Sequence, residues 1–214
     1  MIRNTINQIF SRKKIQNILV FAIVPSFLFY SITILGFHTN GFKIIEIIRD
    51  PAQLSGASSF IGFLSNIGSW LWIASASICF FSITKMSSLL EKNQKELLTL
   101  TGIFSLFLAV DDFFMLHDRY INQNLCYLTY AILAVIILVK HYKLIIKIDG
   151  IAFLAAGSAL ALSILTDLIQ SKIPFDYSHS QIIEEGFKFV GIATWLYFNI
   201  NLASYNCNNA KAWF

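Results

Sequence analysis

The chain has 214 residues, 56% of them hydrophobic and only 13% charged, with a formal net charge of +4 at pH 7. Soluble domains carry about 25% charged residues, and one water-facing core of this size cannot hide so much apolar surface. That composition excludes a soluble globular domain and a basic nucleic-acid binder, and fits a membrane protein with Lys- and Arg-rich cytoplasmic flanks.

A membrane-crossing helix takes about 20 apolar residues. The first such stretch, about 16–37 and reading QNILVFAIVPSFLFYSITILGF, exceeds the roughly 7–15 apolar residues of a signal-peptide core and has no small-x-small cleavage site after it, so it reads as a retained span. The connection HTNGFKIIEIIRDPAQLSGASS follows, with Ile44, Ile45, Ile47 and Ile48 set between charges. It reads either as a short amphipathic helix on the outer interface or as a loop over the bundle mouth. Five further stretches qualify as spans, about 59–84, 97–117, 124–141, 150–170 and 181–203. Helices satisfy their own backbone in lipid, so the predicted fold is all-α, a polytopic transmembrane bundle of six helices forming one domain over 1–214. Cys79, Cys126 and Cys207 are scattered, odd in number and without CxxC spacing, which argues against a disulfide framework.

Placing the N-terminus inside puts Arg3, Arg12, Lys13, Lys14, Lys85, Lys92, Lys95, Lys140, Lys143, Lys147 and Lys211 on inner segments, against Lys43, Arg49, Arg119 and Lys172 outside. The positive-inside rule then predicts both termini in the cytoplasm and a multi-pass protein of the cell membrane, the bacterial inner membrane by the style of the chain, with membrane lipids as its partners.

Acidic residues run the other way. Span three ends in DDFFMLHD, residues 111–118, and Asp112 falls about 8 Å below the outer end at 1.5 Å per residue. Asp167 on span five, Glu184, Glu185 and Lys188 on span six, and Asn66 on span two reach a comparable layer. Helical phase sets Thr101, Ser105 and Asp112 on one face, Ala156, Ser163 and Asp167 on another, and Asn66, Ser69, Trp70 and Ser77 on a third. Ionisable groups inside spans face a cavity or one another, so a shared polar pocket open to the outer side is predicted. Asp112 is expected to point into it and Asp111 to sit at the interface.

Two function classes fit such a pocket. Asp112, His117, Asp167, His179, Glu184 and Glu185 are the ligand types of a divalent metal such as zinc, manganese or iron, with Asp112, His117, Asp167 and Glu184 the expected set. Asp112, Glu184, Glu185 and Lys188 would then be the catalytic set of a metal-dependent hydrolase acting on a lipid or lipophilic substrate, with Asn66, Ser105 and Ser163 in support. Carboxylates beside a lysine also suit a cation or proton transporter, though the inner halves of the spans offer only hydroxyls such as Thr101, Ser105 and Ser77 for a through-path. The bland alternative is an accessory subunit whose polar layer fixes helix register. No Gly-rich phosphate loop, GxSxG or HExxH occurs.

The elements SNIGSWLW, DDFFMLHD and EEGFKFVGIATWLY resemble those of a group of multi-spanning bacterial membrane proteins, in which the second element reads closer to DDxxxLHE; here Asp118 replaces the glutamate. The resemblance implies that Asn66, Asp112, His117, Glu184 and Lys188 belong to one site, and it implies no activity. The layout is also similar to that of seven-span ceramidase-type hydrolases, whose several histidines and HxxxH pair this chain lacks.

Overall fold

The computed structural model describes residues 16, 20, 23–49, 51–58, 60–169 and 177–211, with side chains of the last stretch described over 180–205. The chain divides into two compact units, Met1–Ile61 and Gly62–Phe214.

The first unit holds α1 (Val24–Thr39), α2 (Ile44–Ile48) and α3 (Pro51–Ser55). α1 is apolar all round and buries none of its residues. Its end is closed locally: Asn40 Nδ2 donates to Gly36 O at 2.7 Å, and Gly41 takes a φ of +94° that β-carbon residues avoid. The isoleucine-rich connection forms a helix of five residues, begun where the Lys43 backbone N–H donates to Glu46 Oε2 at 2.8 Å. Ile44, Ile45 and Ile48 are exposed.

The second unit is α4 (Phe63–Lys85), α5 (Lys92–Phe114), the single turn α6 (Leu116–Arg119), α7 (Gln123–Ile169) and α8 (Tyr177–Lys211). The described residues are helical with no strand, and α4, α5 and α7 are long and apolar enough to cross a membrane. α4 and α5 have 23 residues each, about 35 Å of helix against a hydrocarbon layer of about 30 Å. Their outward residues, among them Ile73, Phe81, Ile103 and Phe107, are large, apolar and exposed, as lipid-facing surface is.

α7 is two helices run together. The backbone leaves helical geometry at His141 (φ −119°, ψ 15°) and at Asp149 (φ −165°, ψ 79°). The Tyr127 hydroxyl nevertheless donates to Asp167 Oδ2 at 2.7 Å, although 40 residues separate them. A straight helix would hold those residues about 60 Å apart, so the arms 123–140 and 150–169 fold back on each other. Asp149 restarts the helix by accepting the Ala152 N–H at 2.9 Å, as an N-cap does, and takes Asn201 Nδ2 of α8 at 3.2 Å.

The core runs through Trp72, Cys79, Leu97, Phe104, Ile145, Ala156, Ile192, Trp195, Phe198 and Leu202. Small residues let the helices close on one another: a β-carbon at Gly191 of α8 would lie 2.7 Å from Leu160 Cγ, and one at Gly102 of α5 would lie 3.0 Å from Cys79 Cβ. The face of α4 differs from the expected one. Gly68, Ser69, Trp72, Ser75, Ala76, Cys79 and Ser82 are buried, whereas Asn66, Trp70 and Ser77 are exposed. A helix that is apolar around its whole circumference gives weak phase information, and here small residues rather than polarity mark the packed side.

Candidate functional site

Polar groups tie the buried layer beneath the site. Trp195 Nε1 donates to Ser105 Oγ at 2.8 Å, Ser105 Oγ donates to Thr101 O at 2.7 Å, and Asn199 Nδ2 donates to Ser75 Oγ at 2.7 Å. Cys79 Sγ lies 3.4 Å from Asn199 Oδ1 and 3.5 Å from Thr101 Oγ1. Matched in this way, buried polar groups hold one helix register rather than destabilising the fold.

Above that layer lies a cavity of about 220 Å³ between α4, α5, α7 and α8. Trp72, Phe104, Phe153 and Trp195, all nearly fully buried, form one part of its wall with Leu108, Ala131, Ala134 and Leu160. Asp111, Asp112, His117, Tyr127, Tyr130, Ser163, Glu184 and Lys188 complete it.

The turn after α5 determines the chemistry at one end. Met115 takes the left-handed conformation, φ 52° and ψ 45°, and stops the helix at Phe114. The chain therefore folds back, and His117 meets Asp111: its Nδ1 lies 2.7 Å from Asp111 Oδ2, and its backbone N–H donates to Asp111 Oδ1 at 2.9 Å. This corrects two expectations. Span three ends before His117, and Asp111 is buried in the cavity wall rather than sitting at an interface.

His117 stands in the turn beyond the membrane-length helix, and the hydrogen bond from its ring to Asp111 holds it charged above the ordinary imidazole range, helped by the charge of Asp118 at 3.4 Å from Nε2. An NMR titration of the protein should accordingly put the His117 midpoint above about 6.5, and Asp111→Asn should lower it, because only the charge of Asp118 then opposes burial and Lys188. A midpoint unmoved by Asp111→Asn would show that the contact is not formed. For stability the sign follows from a raised folded-state value: the pair contributes in full below about pH 6.5, and that contribution fades as pH rises through the His117 midpoint.

On the facing side, Lys188 of α8 reaches across to Asp112 Oδ1 as an ion pair and stands 3.5 Å from Glu185 Oε1. The Asp112 side chain is 9% exposed and Lys188 24%. Lys188 thus bridges two helices instead of neutralising Glu184 on its own. Glu184 accepts from Gln181 Nε2 at 2.8 Å. Asp167 accepts from the Tyr127 hydroxyl and from Gln123 Nε2, and Gln123 Nε2 also lies 3.0 Å from that hydroxyl.

Of the residues expected at the site, Asp112, His117, Ser163, Glu184 and Lys188 line the cavity. Asp167 joins it through Tyr127, Ser105 lies buried under Trp195, Glu185 flanks Lys188 from a more exposed position, and Asn66 is exposed on α4. The His179 side chain is outside the described residues. No three His, Cys, Asp or Glu side chains among the described residues converge as metal ligands. Each carboxylate is instead engaged elsewhere: Asp111 with His117, Asp112 with Lys188, Asp167 with Tyr127 and Gln123, and Glu184 with Gln181. Among the described residues, then, no set of donors is left free to hold zinc, manganese or iron. Tyr127, Tyr130 and Gln123 were not anticipated from the sequence; their signal is the spacing i, i+4 and i+7 on one face of a span.

A family model described as Domain of unknown function (DUF8692) matches residues 18–202, and the chain belongs to that family. No curated protein and no solved structure matches it.

Proposed function

We propose that this DUF8692 protein is a six-span protein of the cell membrane, with both termini cytoplasmic, that takes a lipid or lipophilic molecule into the cavity and hydrolyses it by acid–base chemistry. The apolar helix α1, the membrane-length helices α4 and α5, the two arms of α7 and the apolar residues of α8 support the count of six, and the Lys and Arg distribution supports the orientation. The observation that carries the functional reading is a single one: an aromatic and aliphatic cavity of about 220 Å³ whose wall includes the Asp111–His117 pair. Apolar pockets with a few convergent polar groups are the usual form of a small-molecule site.

Asp111 orients the ring and stabilises its charged form. The neutral ring takes a proton from an attacking water as the new C–O bond forms, then gives it to the oxygen or nitrogen that leaves as the ester or amide bond breaks. Turnover therefore rises with pH through the raised His117 midpoint. With short-chain ester and amide reporters, His117→Gln should lower kcat about 10²–10⁴-fold, and Asp111→Asn should lower the pH midpoint. Equal turnover in wild type and His117→Gln would remove this reading.

Proton or cation transport is the second reading, favoured by the polar chain of Ser105, Ser75, Asn199, Cys79 and Thr101 that continues inward from the cavity. It requires pH-dependent flux in liposomes that Asn199→Leu abolishes.

A further inference from the structure

We propose that Ser163 recognises a neutral carbonyl of the ligand, its hydroxyl donating to the oxygen of an ester, amide or ketone held in the cavity; this rests on the reading of the cavity as a lipophilic-ligand site. Hydroxyls inside helices commonly bond to the carbonyl one turn back, and buried ones here do so or find a side chain. Ser69 donates to Ser65 O at 3.2 Å, Ser82 donates to Ile78 O at 2.9 Å, and Ser75 accepts from Asn199 Nδ2 at 2.7 Å. Ser163 is buried like them, at 6% exposure, yet its hydroxyl makes no hydrogen bond among the described residues. Its oxygen is not one of the unpaired atoms sealed off from the surface, and the residue lines the cavity. Buried polar groups are almost always matched, so an unmatched hydroxyl opening into this space is the complement of a missing acceptor.

The position of Ser163 sets the chemistry of that acceptor. Along its arm Ser163 stands one turn, about 6 Å, from Asp167 and about 15 Å from Phe153. Asp167 is bound to Tyr127 of the polar wall, whereas the Phe153 ring lies 5.6 Å from that of Trp195. Ser163 therefore sits where the wall passes from charged groups to aromatic ones. The charged groups hold partners of their own, Asp111 with His117 and Asp112 with Lys188, and the cavity-lining neighbours of Ser163 on its arm, Leu160 and Ile164, are apolar. A charged head placed there would lose its water without gaining a counter-ion. A carbonyl loses less and gains one hydrogen bond, with its apolar remainder directed at Phe153 and Trp195. In the hydrolysis, that bond orients the carbonyl and stabilises the charge its oxygen gains as water adds. An engineered apolar cavity of about 150 Å³ holds benzene, so the present volume of about 220 Å³ takes about nine heavy atoms.

Acetophenone has that size, and isopropylbenzene keeps its shape with a methyl group in place of the oxygen. Calorimetry on the full chain in maltoside detergent should show acetophenone binding more tightly than isopropylbenzene, with benzoate weakest. Ser163→Ala should weaken acetophenone about two- to tenfold, the worth of one hydrogen bond, and leave isopropylbenzene unchanged. Infrared spectra read the contact itself: the carbonyl stretch of bound acetophenone should lie at lower frequency in wild type than in Ser163→Ala. Ser158→Ala, at a serine exposed on the same arm, should alter neither readout. Ser163 supports no other described group, so Ser163→Ala should melt no lower than wild type. A lower melting temperature, unchanged acetophenone affinity, an unshifted stretch, or benzoate binding as tightly as acetophenone overturns the carbonyl contact and leaves the cavity reading intact. If neither acetophenone nor isopropylbenzene binds, both readings fall.

Discussion

Lys188→Met should be the most destabilising single substitution at the site, costing about 3–5 kcal/mol. It strands a carboxylate that is nine-tenths buried and whose only ion-pair partner among the described residues is Lys188. The reverse substitution, Asp112→Asn, should cost less. Lys188 keeps Glu185 at 3.5 Å, and its long side chain can extend its charge toward water. Removing both charges in Asp112→Leu/Lys188→Met should restore stability to the wild-type level or above, because a buried ion pair replaced by apolar groups is often neutral or favourable. Thermal unfolding in detergent reads all three variants. If the double variant is no better than Lys188→Met alone, the two side chains are not coupled and the bridge between α5 and α8 is not formed in solution.

The second large effect is expected at Gly191, where α8 meets the arm 150–169. A β-carbon there would stand 2.7 Å from Leu160 Cγ, 2.9 Å from Cδ2 and 3.1 Å from the Leu160 backbone nitrogen. A leucine tip can move aside, but a backbone atom moves only with its helix. Gly191→Val should therefore cost about 1–3 kcal/mol by overpacking and, since Leu160 lines the cavity, should weaken ligand binding as well. Gly157→Ala, on the same arm but facing open space, should leave the fold as stable or slightly more so, as removing a glycine from a helix interior does. Equal melting temperatures for Gly191→Val and wild type would mean that the helices lie farther apart than the close approach requires.

The helical class and the membrane-length stretches that form α4, α5 and α7 were legible because about 20 apolar residues in lipid can do little else. The meeting of Asp112, Glu184 and Lys188 at one cavity was legible from depth, since each was placed in the outer part of its span, whereas His117 arrives by the fold-back after α5. Rotation was not. α4 is apolar enough on every side that Trp70 and Trp72 are equally plausible inward residues, and only packing chose Trp72, at 2% exposure. Asp111 was misjudged for a related reason: the fold-back at Met115 is a left-handed turn at an ordinary residue, where glycine would have given warning. The metal set finds no support among the described residues, because ligand types were counted without their competitors. Lys188, Tyr127, Gln123 and Gln181 each claim a carboxylate first, and a sequence does not say which partner arrives.

The reversal inside α7 carries a consequence for how the chain tolerates change. Both arms run directly into a bend bounded by His141 and Asp149, with no slack loop between them, so the bend works as a ruler. One residue added between 142 and 148 would turn one arm by about 100° and advance it by about 1.5 Å relative to the other. Tyr127 would swing off Asp167, and the loss would be felt at the far end of the hairpin, where the cavity lies. Sequence length in this short bend is thus constrained as tightly as residue identity elsewhere, and variation across the family should appear there as substitutions, while insertions and deletions collect in the connections on either side.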